Sequence, residues 1–439
     1  MFAYHLRLAL KSLRRTPVVA ALMIGAIALG VGVCITTLTV YRLMSGNPIE
    51  HRNDVLYTVT LDSWDPAQPW DDRQPELPPY ELTYTDAKAL LESNIPARQV
   101  VMRKAAVVVE GDPAAHVKPL LAEARTTTKD FFAMFDVPFR YGSGWDRAAD
   151  DGAQHVVVLS DETNEKIFGG EDSVGRTVRL NDGEYKVVGV LKKWEPTPKV
   201  YDLNNGAFNA IEDIFIPFSI GIAEQLPLAG NSNCWGNEVT NSFEDFLNSN
   251  CVWLQYWVEL ADRGQVEAYQ SFIDNYVREQ KQLGRFQRPL NNHLRHPDEW
   301  LKINRVVAND NRVLVGLSFM FLAVCLLNMI GLLLAKFLGA APLVGLRRAL
   351  GATRGIIFRQ HLVEVGVIGV GGGLLGIGLA ALGLLGVRSL YENYDQLTRI
   401  DLTMGLIALA IAIASGVLAG LYPTWRVCRV QPAASLKTQ

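Results

Sequence analysis

Charge is missing from four long stretches of this 439-residue chain. The stretches 18–41, 313–335, 365–387 and 402–422 contain no Asp, Glu, Lys or Arg. A buried helix of a soluble domain rarely runs so long without a charge, and about 20 apolar residues cross the hydrocarbon core of a bilayer. Each stretch is expected to be a transmembrane helix. That excludes a purely soluble protein, although 49% hydrophobic content is ordinary. The first stretch is longer than the apolar core of a signal peptide, and no A-x-A-like cleavage site comes after it. It reads as an uncleaved anchor.

Acid is missing elsewhere. Residues 1–17 carry Arg7, Lys11, Arg14 and Arg15; residues 336–362 carry Lys336, Arg347, Arg348, Arg354 and Arg359; the tail after Tyr422 carries Arg426, Arg429 and Lys437; none of the three holds an acid. Basic segments stay in the cytoplasm. Residues 46–312 hold 27 Lys and Arg against 41 Asp and Glu, so a net charge of −14 sits there while the whole chain carries −3. The expected order is a cytoplasmic amphipathic helix 1–17, a span 18–45, an external domain 46–312, a span 313–335, a cytoplasmic loop 336–362, a span 363–387, a short external loop 388–401, a span 402–422 and a cytoplasmic tail 423–439. Leu6, Leu10 and Leu13 share one face of the first segment, which suits a helix lying on the membrane surface.

Histidine and cysteine are scarce, at 7 and 5 residues. His155, His293 and His296 stand alone, and no acid–base or metal-ligand cluster is evident, so neither a catalytic residue nor a metal is expected. Nucleic acid is not expected as a partner. The stretch "GEDSVGRT" at 170–177 is one residue away from a P-loop, with Arg176 where the phosphate-binding Lys belongs. The run from Thr177 onward, "TVRLNDGEYKVVGVL", alternates on either side of Asn181, Asp182 and Gly183. That predicts strand, tight turn and strand, not the helix that a P-loop requires. ATP hydrolysis is therefore expected on another chain.

The external domain reads as α+β. "DVLYTVTLDSW" alternates and "QVVMRKAAVVVEGD" also reads as strand, and "TYTDAKALLESN", "TTKDFFAMF" and "SDETNEKIFGG" carry helix caps. From about 204 to 290 the chain becomes turn-rich and then amphipathic, which predicts a second subdomain inserted in the first. Trp64, Trp70 and Trp235 with their acidic neighbours either pack this loop-rich domain or line a partner surface. Gly369 with Gly373 and Gly372 with Gly376 are spaced for close approach of the third span to other helices. Asn328 is expected to bond between helices.

"FGGEDSVGRTVRLNDGEYKVVGVL" resembles the periplasmic core domain of MacB-like permeases, and "GLRRALGATRGIIFRQHLVEVGVIGVGGGLLGIGLA" and "YPTWRVCRVQPAASLK" resemble the FtsX-like permease domain. The resemblance implies a membrane protein with four transmembrane helices and a large α+β periplasmic domain between the first two. It implies a bacterial inner-membrane permease that passes ATP-driven motion of a cytoplasmic ATPase dimer to its periplasmic domain, a mode called mechanotransmission. No cofactor is then held by this chain, since ATP and Mg would sit on the ATPase. Other implied partners are a second permease subunit, a periplasmic adaptor, an outer-membrane channel and membrane lipid. Val344, Gly345, Leu346, Arg347, Arg348, Ala349, Leu350, Gly351 and Ala352 correspond to the coupling helix that docks on the ATPase. The family's acid two residues before the coupling glycine is Leu343 here, which favours a heterodimer whose other permease keeps the acid. These residues carry no fused ATPase, unlike the family's namesake. Efflux through a tripartite system is the main expectation; lipoprotein release and control of cell-wall hydrolases are the alternatives within the superfamily.

Only Cys234 and Cys251 lie in the external domain. An oxidising compartment would join them, and the chain-entropy view assigns such a bond about 3 kcal/mol. Mass mapping of alkylated peptides should leave both cysteines unmodified until a reductant is added; alkylation of both without reduction would show two free thiols.

Overall fold

The computed structural model describes residues 2–110, 119–236, 238, 240–306, 309–390 and 402–429. Most of the loop expected at 388–401 and most of the tail at 423–439 lie outside them. The chain forms two compact units: one holds both ends of the chain, and the other is residues 46–306.

The chain opens with α1 (Phe2–Arg15) and α2 (Pro17–Ser45). The inserted unit then builds a ten-stranded sheet from β1 (Leu56–Thr60), β2 (Arg98–Glu110), β3 (Leu120–Thr127), β4 (Phe139–Gly142), β5 (Val156–Leu159), β6 (Thr177–Leu180), β7 (Gly183–Leu191), β8 (Ile214–Pro217), β9 (Gln255–Glu259) and β10 (His293–Arg295). Its helices are α3 (Tyr84–Leu91), α4 (Phe131–Met134), α5 (Arg147–Asp151), α6 (Asp161–Phe168), α7 (Phe218–Ala223), α8 (Phe243–Asn248), α9 (Arg263–Gln282) and α10 (Pro297–Ile303). The strand order is β10-β1-β9-β2-β3-β8-β5-β7-β4, with β6 joining β2 to β7.

Side chains alternate across each strand, so neighbours in sequence enter different cores. Leu56, Val100, Met102 and Trp257 pack with Phe131, Phe132 and Trp300, while Tyr57, Val101, Tyr256 and Val258 pack with Leu90 of α3 and Tyr269 and Ile273 of α9. Thr83 caps α3 and Ser160 caps α6, each hydroxyl accepting from a backbone N–H three residues on; Gly169 closes α6 with φ +64°.

The P-loop-like stretch leads into the β6–β7 hairpin. Leu180 pairs with Gly183, Asn181 takes φ +51° as a tight hairpin turn demands, and Arg176 donates to Glu171 at 3.0 Å. Residues 204–290, expected as an inserted subdomain, instead supply β8 and β9 to the common sheet, β8 between β3 and β5 and β9 between β1 and β2. Within them Cys234 and Cys251 form a disulfide, and Trp235 donates to the carbonyl of Ser63 at 3.0 Å. Trp64 meets Trp70 edge-on with ring centres 4.6 Å apart, and Trp70 meets Tyr80, so these aromatics pack on one another.

A charged core fixes the segment before β8. Arg125 on β3 is fully buried and contacts both Asp202 and Glu212; Lys199 donates to Glu212 at 3.0 Å, as does the Tyr201 hydroxyl. Two cations against two carboxylates satisfy the burial requirement for charge. Glu81 is the fifth charge-bearing side chain of this region and has no cation of its own. It accepts from Gln255 at 2.7 Å, and burial, reinforced by Asp202, pushes its pKa up to about 8.

The second unit continues with α11 (Asn309–Gly339), α12 (Ala341–Ala349), α13 (Arg354–Leu390) and α14 (Leu402–Cys428). Among the described residues, four helices (α2, α11, α13 and α14) are long and apolar enough to cross a membrane. The glycines of α13 admit its neighbours. A Cβ at Gly372 would lie 2.6 Å from Ile27, and one at Gly376 3.2 Å from the Ala28 carbonyl, both on α2. On the α14 side, a Cβ at Gly373 would lie 2.8 Å from Ala412 and one at Gly369 3.1 Å from the Ala412 carbonyl. Asn328 is exposed; an interhelical polar contact of the kind expected of it is made by Thr37 and Ser318, 3.0 Å apart.

The raised pKa of Glu81 has a defined sign. The folded chain holds this proton between about pH 4.5 and 8 where the unfolded chain has lost it, so stability is full below the lower value and declines as pH rises through the window. Glu81→Gln should flatten that decline and raise the melting temperature at pH 8. Tryptophan fluorescence reads it out, because every Trp except Trp425 belongs to the inserted unit, residues 46–306.

Candidate coupling site

Between α11 and α13 the chain turns twice. Pro342 stands in the first turn of α12, where its missing N–H costs nothing. The helix closes at Gly351, which takes φ +100°; its N–H bonds to the Arg348 carbonyl at 3.1 Å and that of Ala352 to the Arg347 carbonyl at 3.0 Å. Thr353 then leads into α13, accepting from the N–H of Ile356 at 3.4 Å. Residues 336–362 are therefore almost wholly helical, and the first turns of α13 belong to them.

The two faces of α12 differ. Val344 and Gly345 are buried against the bundle, and Ala352 packs there too. Leu343, Leu346 and Leu350 are 47%, 48% and 80% exposed, and Ala349 is exposed beside them. Spacings of three and four put those leucines on one stripe. Neither arginine is splayed outward with them. Arg347 donates to Gln360 at 3.0 Å, Arg348 donates to the Cys428 carbonyl at 3.5 Å, and both are half-buried. The outward face of the expected coupling helix is apolar, with its cations folded back onto α13 and α14.

Behind α12 lies a group to which the sequence assigned no role. Glu364 of α13 is 1% exposed. Lys336, in the last turn of α11, donates to it at 2.5 Å; Ser12 of α1 donates at 2.7 Å; His361 lies 3.5 Å away. One carboxylate thus ties three helices. Lys336, expected as a topogenic charge, is an internal partner. The signal was present: Glu364 is the acid that borders the third charge-free run, one turn after His361.

Four long apolar helices among the described residues, a large α/β domain inserted after the first, and a short amphipathic helix between the second and third define a multi-pass membrane protein. The chain belongs to the MacB-like family: residues 20–276 match the MacB-like periplasmic core domain, and residues 315–432 match the FtsX-like permease C-terminal domain. It is 24% identical over 300 residues to the macrolide export ATP-binding/permease protein MacB of Azoarcus sp., covering 68% of this chain and 40% of that one. It is 24% identical over 311 residues to the pyoverdine export ATP-binding/permease protein PvdT of Pseudomonas aeruginosa, covering 71% and 41%. To MacB of Neisseria gonorrhoeae it is 21% identical over 360 residues, covering 81% and 49%. The chain thus spans less than half the length of these relatives. Among solved structures, the periplasmic region of MacB from Actinobacillus actinomycetemcomitans aligns with a TM-score of 0.37 at 13% identity, over 60% of this chain and 99% of that one.

Removing one partner of a buried ion pair leaves a charge stranded in apolar surroundings, whereas removing both leaves none. Glu364→Leu should destabilise the helical unit by about 3–5 kcal/mol. The double variant Lys336→Met with Glu364→Leu should recover most of that loss. Denaturant titration of helicity in micelles compares the two; equal losses would mean that the pair is not the element holding these helices.

Proposed function

We propose that this chain is the permease subunit of an inner-membrane ABC exporter, with its ends in the cytoplasm and its inserted domain in the periplasm. ATP is hydrolysed on a separate cytoplasmic ATPase dimer, which holds the ATP and Mg. The observation that carries the reading is the exposed Leu343, Leu346 and Leu350 stripe on a short helix held between two spans. An apolar stripe at the end of a helical bundle is suited to docking on a partner protein.

Motion of the docked ATPase would push α12. Gly351 and Ala340 join α12 to α13 and α11, and the Lys336–Glu364 pair links those two helices directly. The push is therefore delivered to α11 and, through the glycine contacts of α13, to α2. These two helices flank the inserted domain in the chain, so the periplasmic domain would receive the movement. In this reading no substrate path runs through the spans, and an adaptor and an outer-membrane channel carry the exported compound onward. Leu343 in the family's acid position supports pairing with a second, different permease subunit.

Affinity-purified chain from its native membranes should carry Mg-dependent ATPase activity. Leu346→Glu with Leu350→Glu should reduce that activity by about tenfold or more, because two charges would enter a desolvated contact. Leu283→Glu, at a 72% exposed site in the inserted domain, should leave it unchanged. Activity that survives the paired change would place the ATPase contact elsewhere.

A further inference from the structure

Beside α12, the helices α1, α11 and α13 enclose a cavity of about 600 Å³. Its lining is partly apolar, with Leu8, Val19, Leu332 and Ile357. It is also cationic. Lys11 and Arg15, one turn apart on α1, border it together with Arg347 of α12, and the Lys336–Glu364 pair lies within. Glu364 is the lone acid of the lining and is matched by Lys336, so Lys11, Arg15 and Arg347 leave a surplus of positive charge. His361 also lines the cavity. It is 6% exposed, with its Nδ1 turned to Glu364 at 3.5 Å; the Thr16 hydroxyl, another lining group, is buried and unpartnered. Buried polar atoms in folded proteins are almost always bonded, so an orphan hydroxyl bordering a cationic cavity points to a ligand that accepts hydrogen bonds.

We propose that this cavity binds a phosphate-bearing anion, and that its apolar lining residues select the headgroup of an anionic phospholipid over a free phosphate. A volume of this size holds a headgroup and the start of its chains. The phosphate would lie between Lys11, Arg15 and the Thr16 hydroxyl, with the acyl chains leaving past Val19 and Leu332. A neutral zwitterionic lipid carries its own cation into the same site and loses that advantage. Occupancy would fix α1 against α12, so the lipid would set how freely the expected coupling helix moves.

Native mass spectrometry of the delipidated full chain tests this with phosphatidylglycerol, phosphatidylcholine and inorganic phosphate as probes. One phosphatidylglycerol should remain bound at collision energies that strip phosphatidylcholine. Lys11→Gln with Arg15→Gln should weaken its binding by about tenfold or more, since two charge-assisted hydrogen bonds are lost. Both side chains are exposed, so the fold should tolerate the change. Arg7→Gln with Arg14→Gln removes the same charge from α1 outside the cavity and should leave binding within about twofold of the unaltered chain. Displacement of the lipid by millimolar inorganic phosphate would uphold the anion site and assign it to a soluble phosphate compound. Equal retention of the two lipids, or equal losses from the two charge-removing pairs, would reduce the cavity to diffuse attraction between a basic helix and a membrane and overturn the proposal.

Discussion

Glu364 holds three helices at once, in surroundings where an unpaired charge is costly. Its Oε1 takes hydrogen bonds from Lys336 and Ser12, and the ring of His361, packed on Phe337, lies 3.5 Å from Oε2. In lipid the hydrophobic effect gives helices no reason to associate, since lipid tails are as apolar as leucine. Polar ties and close packing have to do it. The ion pair supplies the first at the end that carries α12, and glycine supplies the second along the middle of α13. Gly372 and Gly376 face α2 while Gly369 and Gly373 face α14, so one helix seats two neighbours on adjoining faces of one glycine stripe. α11 is bound differently: Cys34 and Thr37 of α2 meet Ser318, while Leu314, Leu317, Met320 and Leu327 stay uncovered.

The inserted domain solves the same problem with water available. Its sheet buries Arg125 completely, and the cost is offset by Asp202 and Glu212, which Lys199 and Tyr201 then complete. The result is geometric. Residues 199–212 have little regular structure, yet they are held in one place on β3, and β8 begins directly after them beside β3. A polar network of this kind specifies position more than it adds stability.

Much of this was legible in the sequence because it is local. Absence of charge marks a span whatever surrounds it, and the four long helices cover the four charge-free runs. Asn181-Asp182-Gly183 dictates a hairpin through backbone conformation alone, and Thr83 and Ser160 cap the helices they precede. What escaped was non-local. β8 is parallel to β3 across some 90 residues of chain, and short apolar strands among turn signals look like a separate body until their partners are known. The Lys336–Glu364 contact joins residues 28 apart on different helices, and a lysine at the edge of a span is indistinguishable from a topogenic one until its partner is placed. At the candidate site, residue identity was readable but orientation was not: the run from Val344 to Ala352 is amphipathic by composition, whereas only packing decides which of its faces meets the bundle.

That orientation changes where the energy of docking would come from. Arginines free at the surface would offer acids on the partner a long-range, salt-sensitive attraction. Here Arg347 and Arg348 are already committed to Gln360 and Cys428, and breaking those bonds would leave the acceptors bare. The leucine stripe carries no such cost. Fully burying one leucine yields about 1.5–3 kcal/mol. With Leu343 and Leu346 already half covered and Leu350 largely open, the three together offer roughly half of the sum, on the order of 3–5 kcal/mol. Leucine in place of the family's acid at position 343 then reads as part of that surface: a carboxylate there would enter the same apolar contact and have to be paired, and the two cations of α12 are turned away from that face onto α13 and α14.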